Sequence, residues 1–434
     1  MNIFSSVKNL LLKHIQDLEG HKRDFVKDPS RDFTRNRKLS FSDTVKMLIS
    51  MECGSIRSEL LKYFHFSPDT ATASAFIQQR DKISPDALMS LFYSFSAELP
   101  SGQYKGYHLF AVDGSEVWLP MEGNDEVYGY FHRKDQRCYH QLHLNAVYDL
   151  LGSRYAAAYL QPRKGHNERN AFHQLFEGNT FPEKSLFIFD RGYEGYPLMA
   201  HIAGKGQFFI IRAKDGSTGG ILKGFTLPDR EAFDVLIDKV FVNKIRAAHR
   251  ADPARYHRVH ATYTPYFLNQ SVKEYPLAFR IVRFRLDNGS YECLLTNLPA
   301  GEFDVSVHKA LYRMRWGIET SFRQLKHSIG LTTFHSKKIE SIELEIWARL
   351  ILYNYCMAVT QGICKRETHS RYACRLNIAN AIYVCRRFLK CSANEAPPDI
   401  EKLISGELLP IRPDRTSPRK KTTQRPRKFN YRVL

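Results

Sequence analysis

Four residues with chemically active side chains share one face of residues 308–330, a segment with strong helical character. At about 100° per residue, the four lie within roughly 60° of one another around the helix axis. They are Tyr312, Arg315, Glu319 and Lys326. A neighbouring face is apolar and consists of Leu311, Met314, Ile318, Phe322, Leu325 and Ile329. The segment therefore predicts a helix that buries one face and directs a phenol, two cations and a carboxylate at a site that handles phosphate next to a metal ion.

Two further acidic residues occupy positions where a sheet would place them in a site. Asp113 in FAVDGS is predicted to end a first strand, which a turn at Asp113 and Gly114 closes. Asp190 follows a continuous apolar run within residues 184–192, which is typical of a strand buried on both faces. A single aspartate at a strand end is more often a turn or capping residue. Three acidic positions in three separate segments nevertheless favour a common site.

A site of this kind suits phosphodiester chemistry. Two divalent ions held by carboxylates can activate the attacking oxygen and stabilise the leaving oxygen. Mg²⁺ prefers oxygen ligands and retains several waters, so a few acidic side chains suffice to hold it. The sequence therefore predicts that Asp113, Asp190 and Glu319 converge on a site for Mg²⁺ or Mn²⁺.

The order and spacing of these motifs resemble one branch of the bacterial insertion-sequence DDE transposases. The resemblance rests on the signature Y-(2)-R-(3)-E-(6)-K from Tyr312 to Lys326, preceded by DGS at Asp113 and DRGY at Asp190, and it spans about residues 107–330. It implies that the metal-binding triad is Asp113, Asp190 and Glu319. It also implies that Tyr312, Arg315 and Lys326 hold DNA phosphates near the cut.

The same resemblance implies an activity and its partners. The activity is cut-and-paste DNA transposition, with metal-dependent cleavage at transposon ends and strand transfer into target DNA. The partners are double-stranded DNA, as terminal inverted repeats and as target, and a second copy of the chain in a synaptic homodimer.

The surrounding segments predict an α/β fold with a ribonuclease H-like catalytic core. Residues 142–150 and 153–162 indicate two strands, and Asn167 is suited to cap the helix that follows. A helix near 197–203 and a strand at 207–213 complete the order of three strands, helix, strand, helix and strand. Later β-type stretches and a hairpin turn at 287–289 predict an all-β insertion.

These patterns divide the chain into six parts. They are a helical N-terminal domain (1–100), the first part of the core (101–214), the β-rich insertion (215–302), the last part of the core (303–370), a helical C-terminal region (371–410) and a basic tail (411–434). The tail has too few apolar residues to bury a core and is predicted to be disordered. A basic patch at residues 21–38 is either a solvated face or a contact with transposon-end DNA.

Composition narrows the class of protein further. The net charge of +19 favours an acidic polymer as partner, nucleic acid before membrane. The cysteines form no CxxC pair, which is typical of reduced thiols in a cytoplasmic protein. Lys8 and Lys13 interrupt any signal-peptide core, and the apolar run between Arg349 and Lys365 is too short to cross a bilayer comfortably. We therefore expect a protein of the bacterial cytoplasm that associates with the nucleoid.

Two alternatives stay open. A ribonuclease H-like nuclease that only hydrolyses DNA would use the same three acids. A DNA-binding protein that descends from a transposase and has lost catalysis would keep the charge, but the presence of all three acids counts against it.

Overall fold

The computed structural model describes residues 3–120, 125–131, 138–215, 220–259, 264, 266–363, 372–391, 395–411 and 430–431. Its fold is mixed α/β, with a large central sheet that follows a helical N-terminal region. Among these residues, no helix combines the length and the apolar character that a membrane crossing would require.

The N-terminal region is helical, as the sequence predicts. Its helices are α1 (Ile3–Gly20), α2 (Phe41–Ser50), α3 (Ile56–Tyr63), α4 (Ala73–Arg80) and α5 (Pro85–Ala97). Serine and threonine caps determine where the last four begin: Ser40, Ser55, Thr72 and Ser84 each accept a hydrogen bond from a backbone N–H of the first turn. Pro85 then occupies the start of α5, where its missing N–H costs nothing.

The next region contains the strands and helices predicted for the first part of the core, and also a short helix and a short strand at residues 125–131 that were not predicted. They are β1 (His108–Leu119), α6 (Asp125–Tyr128), β2 (Gly129–Phe131), β3 (Cys138–Asp149), β4 (Arg154–Pro162), α7 (Glu168–Gly178), β5 (Ser185–Phe189), α8 (Tyr196–Gly204) and β6 (Phe208–Ala213). β3 pairs antiparallel with both β1 and β4, whereas β5 pairs parallel with both β1 and β6. Their order across the sheet is thus β4-β3-β1-β5-β6.

The prediction of a separate all-β insertion at residues 215–302 is wrong in one respect. The segment does form strands, which are β7 (Phe233–Val242), β8 (Tyr256–Arg258), β9 (Glu274–Arg285) and β10 (Tyr291–Thr296), with a short helix α9 (Ala247–Arg250). β9 and β10 form the predicted hairpin, and Gly289 at its turn has φ 82°. β10, however, pairs antiparallel with β6, so these strands extend the central sheet. The reason is that β6 would otherwise present an unpaired edge, and β10 supplies its hydrogen-bond partners.

The segment with the four chemically active residues is helical but irregular. Its elements are α10 (Val305–Met314), α11 (Trp316–Gln324) and a π-helical turn (Leu325–Ile329). α10 and α11 meet at Arg315, and Gly330 ends the run with φ 101°, a left-handed conformation that favours glycine. The remaining elements are β11 (Thr333–Phe334), α12 (Ile339–Gln361), β12 (Cys374–Leu376), α13 (Ile378–Lys390), α14 (Ile400–Ser405), β13 (Leu408–Pro410) and β14 (Asn430–Tyr431).

Helix α12 joins the N-terminal helices to the sheet. It is buried along most of its length, and one apolar cluster around it contains residues of α1, α2, α5 and α13 together with residues of β3 and β4. Asn354 on α12 accepts the Tyr155 backbone N–H at 2.8 Å and donates to the Tyr155 carbonyl at 2.9 Å, so it pairs part of the free edge of β4. Residues on both sides of the predicted boundary at residue 100 therefore share one core. In the tail predicted to be disordered, 411–434, Asn430 and Tyr431 instead form β14, which pairs parallel with β11. Residues 412–429 and 432–434 lie outside the described residues.

Candidate active site

The pairing of β1 with β5 places two of the predicted acids side by side. The last parallel pair is Val112 with Phe189, so Asp113 and Asp190 are the next residue on each strand. The prediction that Asp113 ends its strand is wrong, because β1 stays paired with β3 through Leu119. β5 does end at Phe189. The two aspartates therefore lie at the carboxyl end of the parallel strands, where ligands bind in many α/β sheets.

Arg315 connects this strand end to the third acid. Its Nη2 atom lies 2.7 Å from Glu319 Oε1, and its Nη1 atom lies 3.7 Å from Asp113 Oδ2. Tyr312, three residues earlier, donates its hydroxyl to Asp190 Oδ1 at 3.4 Å. These five predicted residues thus form one cluster, which contains all three acids.

The apolar face of the helical segment holds this arrangement against the sheet. Its predicted members are buried, apart from the half-buried Met314. Gly317, between Arg315 and Glu319, allows close approach, because a Cβ there would lie 2.9 Å from Leu150 Cδ2. The position of Glu319 therefore depends on packing of the helix against the residues that follow β3.

Arg315 differs from the expectation of a cation that projects freely into a cleft. Its side chain is only 4% exposed and pairs with Asp113 and Glu319. Since both partners belong to the acidic cluster, the guanidinium neutralises part of the charge that the cluster brings together. Trp316, next in the chain, is 47% exposed, and its ring lies 5.4 Å from the Arg315 guanidinium carbon.

The cluster is electrostatically crowded. The pKa of the Asp113 carboxyl is raised to about 6, chiefly by burial and also by the carboxylates of Glu168 and Glu319, which together outweigh the opposing effects of the Gly114 N–H and Arg315. The donor atoms around this point are carboxylate oxygens, which are the ligands that Mg²⁺ and Mn²⁺ prefer. The residues therefore fit a divalent ion, because a bound cation would relieve the repulsion among the acids.

Comparison with known proteins agrees with this chemistry. The pattern that defines the transposase DDE domain matches residues 104–355. The chain belongs to the DDE transposase family. It is 25% identical over 371 residues to the transposase InsG for insertion sequence element IS4 of Escherichia coli (strain K12), a match that covers 80% of this chain and 75% of that protein. The prediction of a DDE transposase is confirmed, whereas its assignment to the branch with the signature Y-(2)-R-(3)-E-(6)-K stays a prediction.

A solved structure is also similar to this transposase. It is a piggyBac transposase synaptic complex with hairpin DNA, with a TM-score of 0.47 and 8% sequence identity. The match covers 89% of this chain and 80% of that one. DDE transposases generally use divalent metal ions, consistent with the acidic cluster.

Lys326 of the transposase occupies a less regular position than the sequence predicts. It lies on the π-helical turn and is half-buried. Its contact with DNA phosphate stays a prediction.

Three charged residues that the sequence analysis missed adjoin the cluster. Arg212 on β6 has Nη1 3.9 Å from Asp190 Oδ1 and Nε 3.1 Å from Glu292 Oε1 on β10. Glu168, the first residue of α7, lies against Gly114. Glu292 reaches the site only because β10 joins the sheet, which no local pattern indicates. The sequence did contain a local indication of where Glu168 lies, because this residue directly follows Asn167 and therefore begins the predicted helix.

Histidines outside the cluster have structural partners. His143 and His140 lie apart, as alternation along a strand predicts: His143 Nε2 contacts Glu168 Oε1 at 3.1 Å, and His140 Nδ1 contacts the Pro120 carbonyl at 3.0 Å. A second group of possible metal ligands among the described residues is His173, Glu177 and His201. Lys205 Nζ lies 2.9 Å from Glu177 Oε2, so an ammonium already neutralises that carboxylate. We assign this group to the fold.

The raised pKa of Asp113 has a measurable consequence for stability. Because its pKa is about 6 in the fold and 3.8 as the reference, the stability it contributes is greatest at low pH and is lost as pH rises from about 4 to 6. At pH 7.5, Asp113→Asn should raise the free energy of unfolding of the metal-free protein by about 2–3 kcal/mol. Urea unfolding in EDTA across this pH range checks the effect. Asp287→Asn, on an exposed hairpin turn, serves as the control and should give no such pH-dependent gain.

Proposed function

We propose that the chain is a cut-and-paste transposase that cleaves double-stranded DNA at transposon ends and transfers the ends into target DNA. The observation that carries this proposal is that Arg315 pairs with Asp113 and Glu319, while Tyr312, three residues before Arg315, donates to Asp190 at the end of β5. The transposase DDE domain match over the same segment supports it.

In this proposal, the three acids hold two Mg²⁺ or Mn²⁺ ions. When bound, the ions activate the attacking oxygen and stabilise the leaving oxygen. Arg315 keeps the carboxylates of Asp113 and Glu319 at one point before metal binds. Its buried Nε–H has no hydrogen-bond partner among the described residues, and a DNA phosphate at the cut would satisfy that donor.

Tyr312 and Lys326 complete the phosphate contacts in the proposal. The Tyr312 hydroxyl donates to Asp190, and this position orients the phenol towards the acids. Lys326 supplies a cation on the turn that follows α11.

We also infer that the core is ribonuclease H-like. The order β4-β3-β1-β5-β6, antiparallel in its first part and parallel in its second, supports this assignment. In this fold the acids of β1 and β5 meet a third acid from a later helix. The predicted boundaries of the six parts of the chain remain proposals.

The proposed partners follow from charge and from the reaction. A net charge of +19 suits binding to DNA through its phosphates, with terminal inverted repeats and target DNA as the two substrates. Joining of two transposon ends requires a synaptic complex, for which we propose a homodimer. The proposed location is the bacterial nucleoid, where this DNA is found.

A strand-transfer assay with pre-cleaved ends tests the proposed function. Labelled end oligonucleotides, purified protein, Mg²⁺ and a supercoiled target should give covalent joining to the target. Nicking or hydrolysis alone, with no joined product over a range of end sequences and metal concentrations, would favour the nuclease alternative. Absence of any metal-dependent cleavage by protein that still binds ends would favour the non-catalytic alternative.

Lys326→Ala tests one proposed phosphate contact. Removal of one cation from the DNA interface should weaken end binding irrespective of sequence, and should reduce the slope of log K against log salt by about one. The melting temperature should change little, because a partly exposed cation typically contributes less than about 1 kcal/mol. The check measures salt-dependent binding and thermal melting side by side, with the exposed Lys273→Ala as control. A large drop in melting temperature with an unchanged slope would make Lys326 a structural residue.

A further inference from the structure

Glu168 brings a fourth carboxylate to the acidic cluster. A Cβ built on Gly114 would lie 2.9 Å from Glu168 Oε1, and one built on Gly192 would lie 3.8 Å from Glu168 Oε2. Gly114 directly follows Asp113, and Gly192 lies two residues after Asp190. One carboxylate group therefore faces the backbone beside both aspartates of the proposed triad.

The position of this carboxylate is well defined by its neighbours. His143 on β3, itself buried, has Nε2 3.1 Å from Glu168 Oε1. Asn167 caps α7, because its side chain accepts the backbone N–H groups of Arg169 and Asn170. Arg169 Nε donates to the Gly192 carbonyl at 3.0 Å and thereby ties the start of α7 to the turn after Asp190.

A purely structural role for Glu168 would not explain two observations. His143 engages only Oε1, and Glu168 Oε2 has no hydrogen-bond partner among the described residues although the side chain is only 35% exposed. The pair also requires glycine at position 114, because a Cβ there would lie 2.1 Å from His143 Nε2. The Asp-Gly sequence at 113–114 thus provides an acid and also the space that admits a second acid beside it.

We propose that Glu168 is a fourth acidic ligand of the metal site, positioned by His143, and that its Oε2 contributes to the coordination of a divalent ion held by Asp113 and Asp190. An oxygen donor suits Mg²⁺ and Mn²⁺ as the other three acids do. His143 acts as a positioning residue, because a hydrogen bond to the distal oxygen orients a ligating carboxylate. This inference rests on the proposed metal-dependent function.

Mn²⁺ binding to the full-length protein without DNA tests the inference. Calorimetry or electron paramagnetic resonance should give a Mn²⁺ affinity that is lowered at least about 10- to 100-fold in Glu168→Gln, because loss of a residue that merely orients a metal ligand already has an effect of that size. Asp190→Asn should lower the affinity at least as much. Glu177→Gln is the matched control, since Glu177 lies on the same helix and pairs with His201 as Glu168 pairs with His143. Its Mn²⁺ affinity should equal that of the wild type.

The outcomes separate this inference from the proposed function. Wild-type Mn²⁺ affinity in Glu168→Gln, together with a loss in Asp190→Asn, would overturn the role of Glu168 and leave the triad in place. Wild-type affinity in Asp190→Asn would overturn the proposed metal site itself.

A second variant tests the role of Glu168 in a protein that is expected to fold normally. Glu168→Asp keeps the charge at the start of α7 but withdraws the carboxylate by one methylene. It should melt like the wild type and require about tenfold more Mg²⁺ for half-maximal DNA cleavage. An unchanged Mg²⁺ requirement in a variant that melts normally would overturn the assignment.

Discussion

Glu319→Gln is expected to abolish Mg²⁺-dependent cleavage at transposon ends while binding to end DNA survives. The amide keeps the shape of the side chain and can still accept the Arg315 hydrogen bond seen at 2.7 Å, but it is a poor ligand for Mg²⁺. Loss of several kcal/mol of transition-state stabilisation corresponds to a rate reduction of about 10³-fold or more. Gel-based cleavage and mobility-shift assays on the same preparation measure the two properties.

The control for this prediction is Glu302→Gln, an exposed glutamate ahead of α10. It removes the same charge from the chain without a change in the acidic cluster, and its cleavage rate should stay within about twofold of the wild type. Near wild-type cleavage by Glu319→Gln would remove Glu319 from the proposed metal site. Loss of DNA binding together with cleavage would indicate that the substitution acts through the fold.

Glu345→Gln is expected to lower the free energy of unfolding by about 3–5 kcal/mol, the cost of breaking a buried ion pair. Glu345 on α12 is 3% exposed and accepts hydrogen bonds from Arg349 Nη2 at 2.9 Å and from the His335 backbone N–H at 2.9 Å. His335 in turn contacts the Gly54 carbonyl at 3.0 Å. The substitution would leave the buried Arg349 without its counter-charge, and would weaken the connection between α12 and the N-terminal helices.

The same network predicts a pH dependence. Desolvation alone would raise the pKa of Glu345, but Arg349 and His335 outweigh it and lower the pKa to about 2. Since the pKa is depressed in the fold, the stabilisation is present above about pH 4.5 and is lost as pH falls towards 2. Wild-type stability should therefore fall more steeply than that of Glu345→Gln over this range.

Urea unfolding at pH 7 and at lower pH measures both effects. The control is Glu340→Gln on the same helix, whose exposed pair with Lys27 should contribute less than about 1 kcal/mol. If the free energy of unfolding of Glu345→Gln lies within 1 kcal/mol of the wild-type value, the attraction within the buried pair exceeds its desolvation cost only slightly.

Local patterns in the sequence indicated most of the helices and strands and the three acids proposed for the site. Asn167 indicated the start of α7, because a capping side chain acts within one turn of the chain. Apolar periodicity placed Ile318 on the buried face of α11 and therefore left Glu319 beside it on the polar side. The apolar run before Asp190 likewise required a buried strand that ends at that acid.

The order of strands in the sheet and the contacts that depend on it were decided by pairing between distant segments, which no local pattern specifies. Any strand with apolar residues can satisfy the free edge of β6, so the choice of β10 depends on the packed sheet as a whole. That choice brings Glu292 to Arg212 and Asp190. The sequence determined the acids, the periodicity and the family of this transposase. Only the tertiary structure brought Arg315 to Asp113 and placed Glu168 against Gly114, because both contacts join segments that are far apart in the chain.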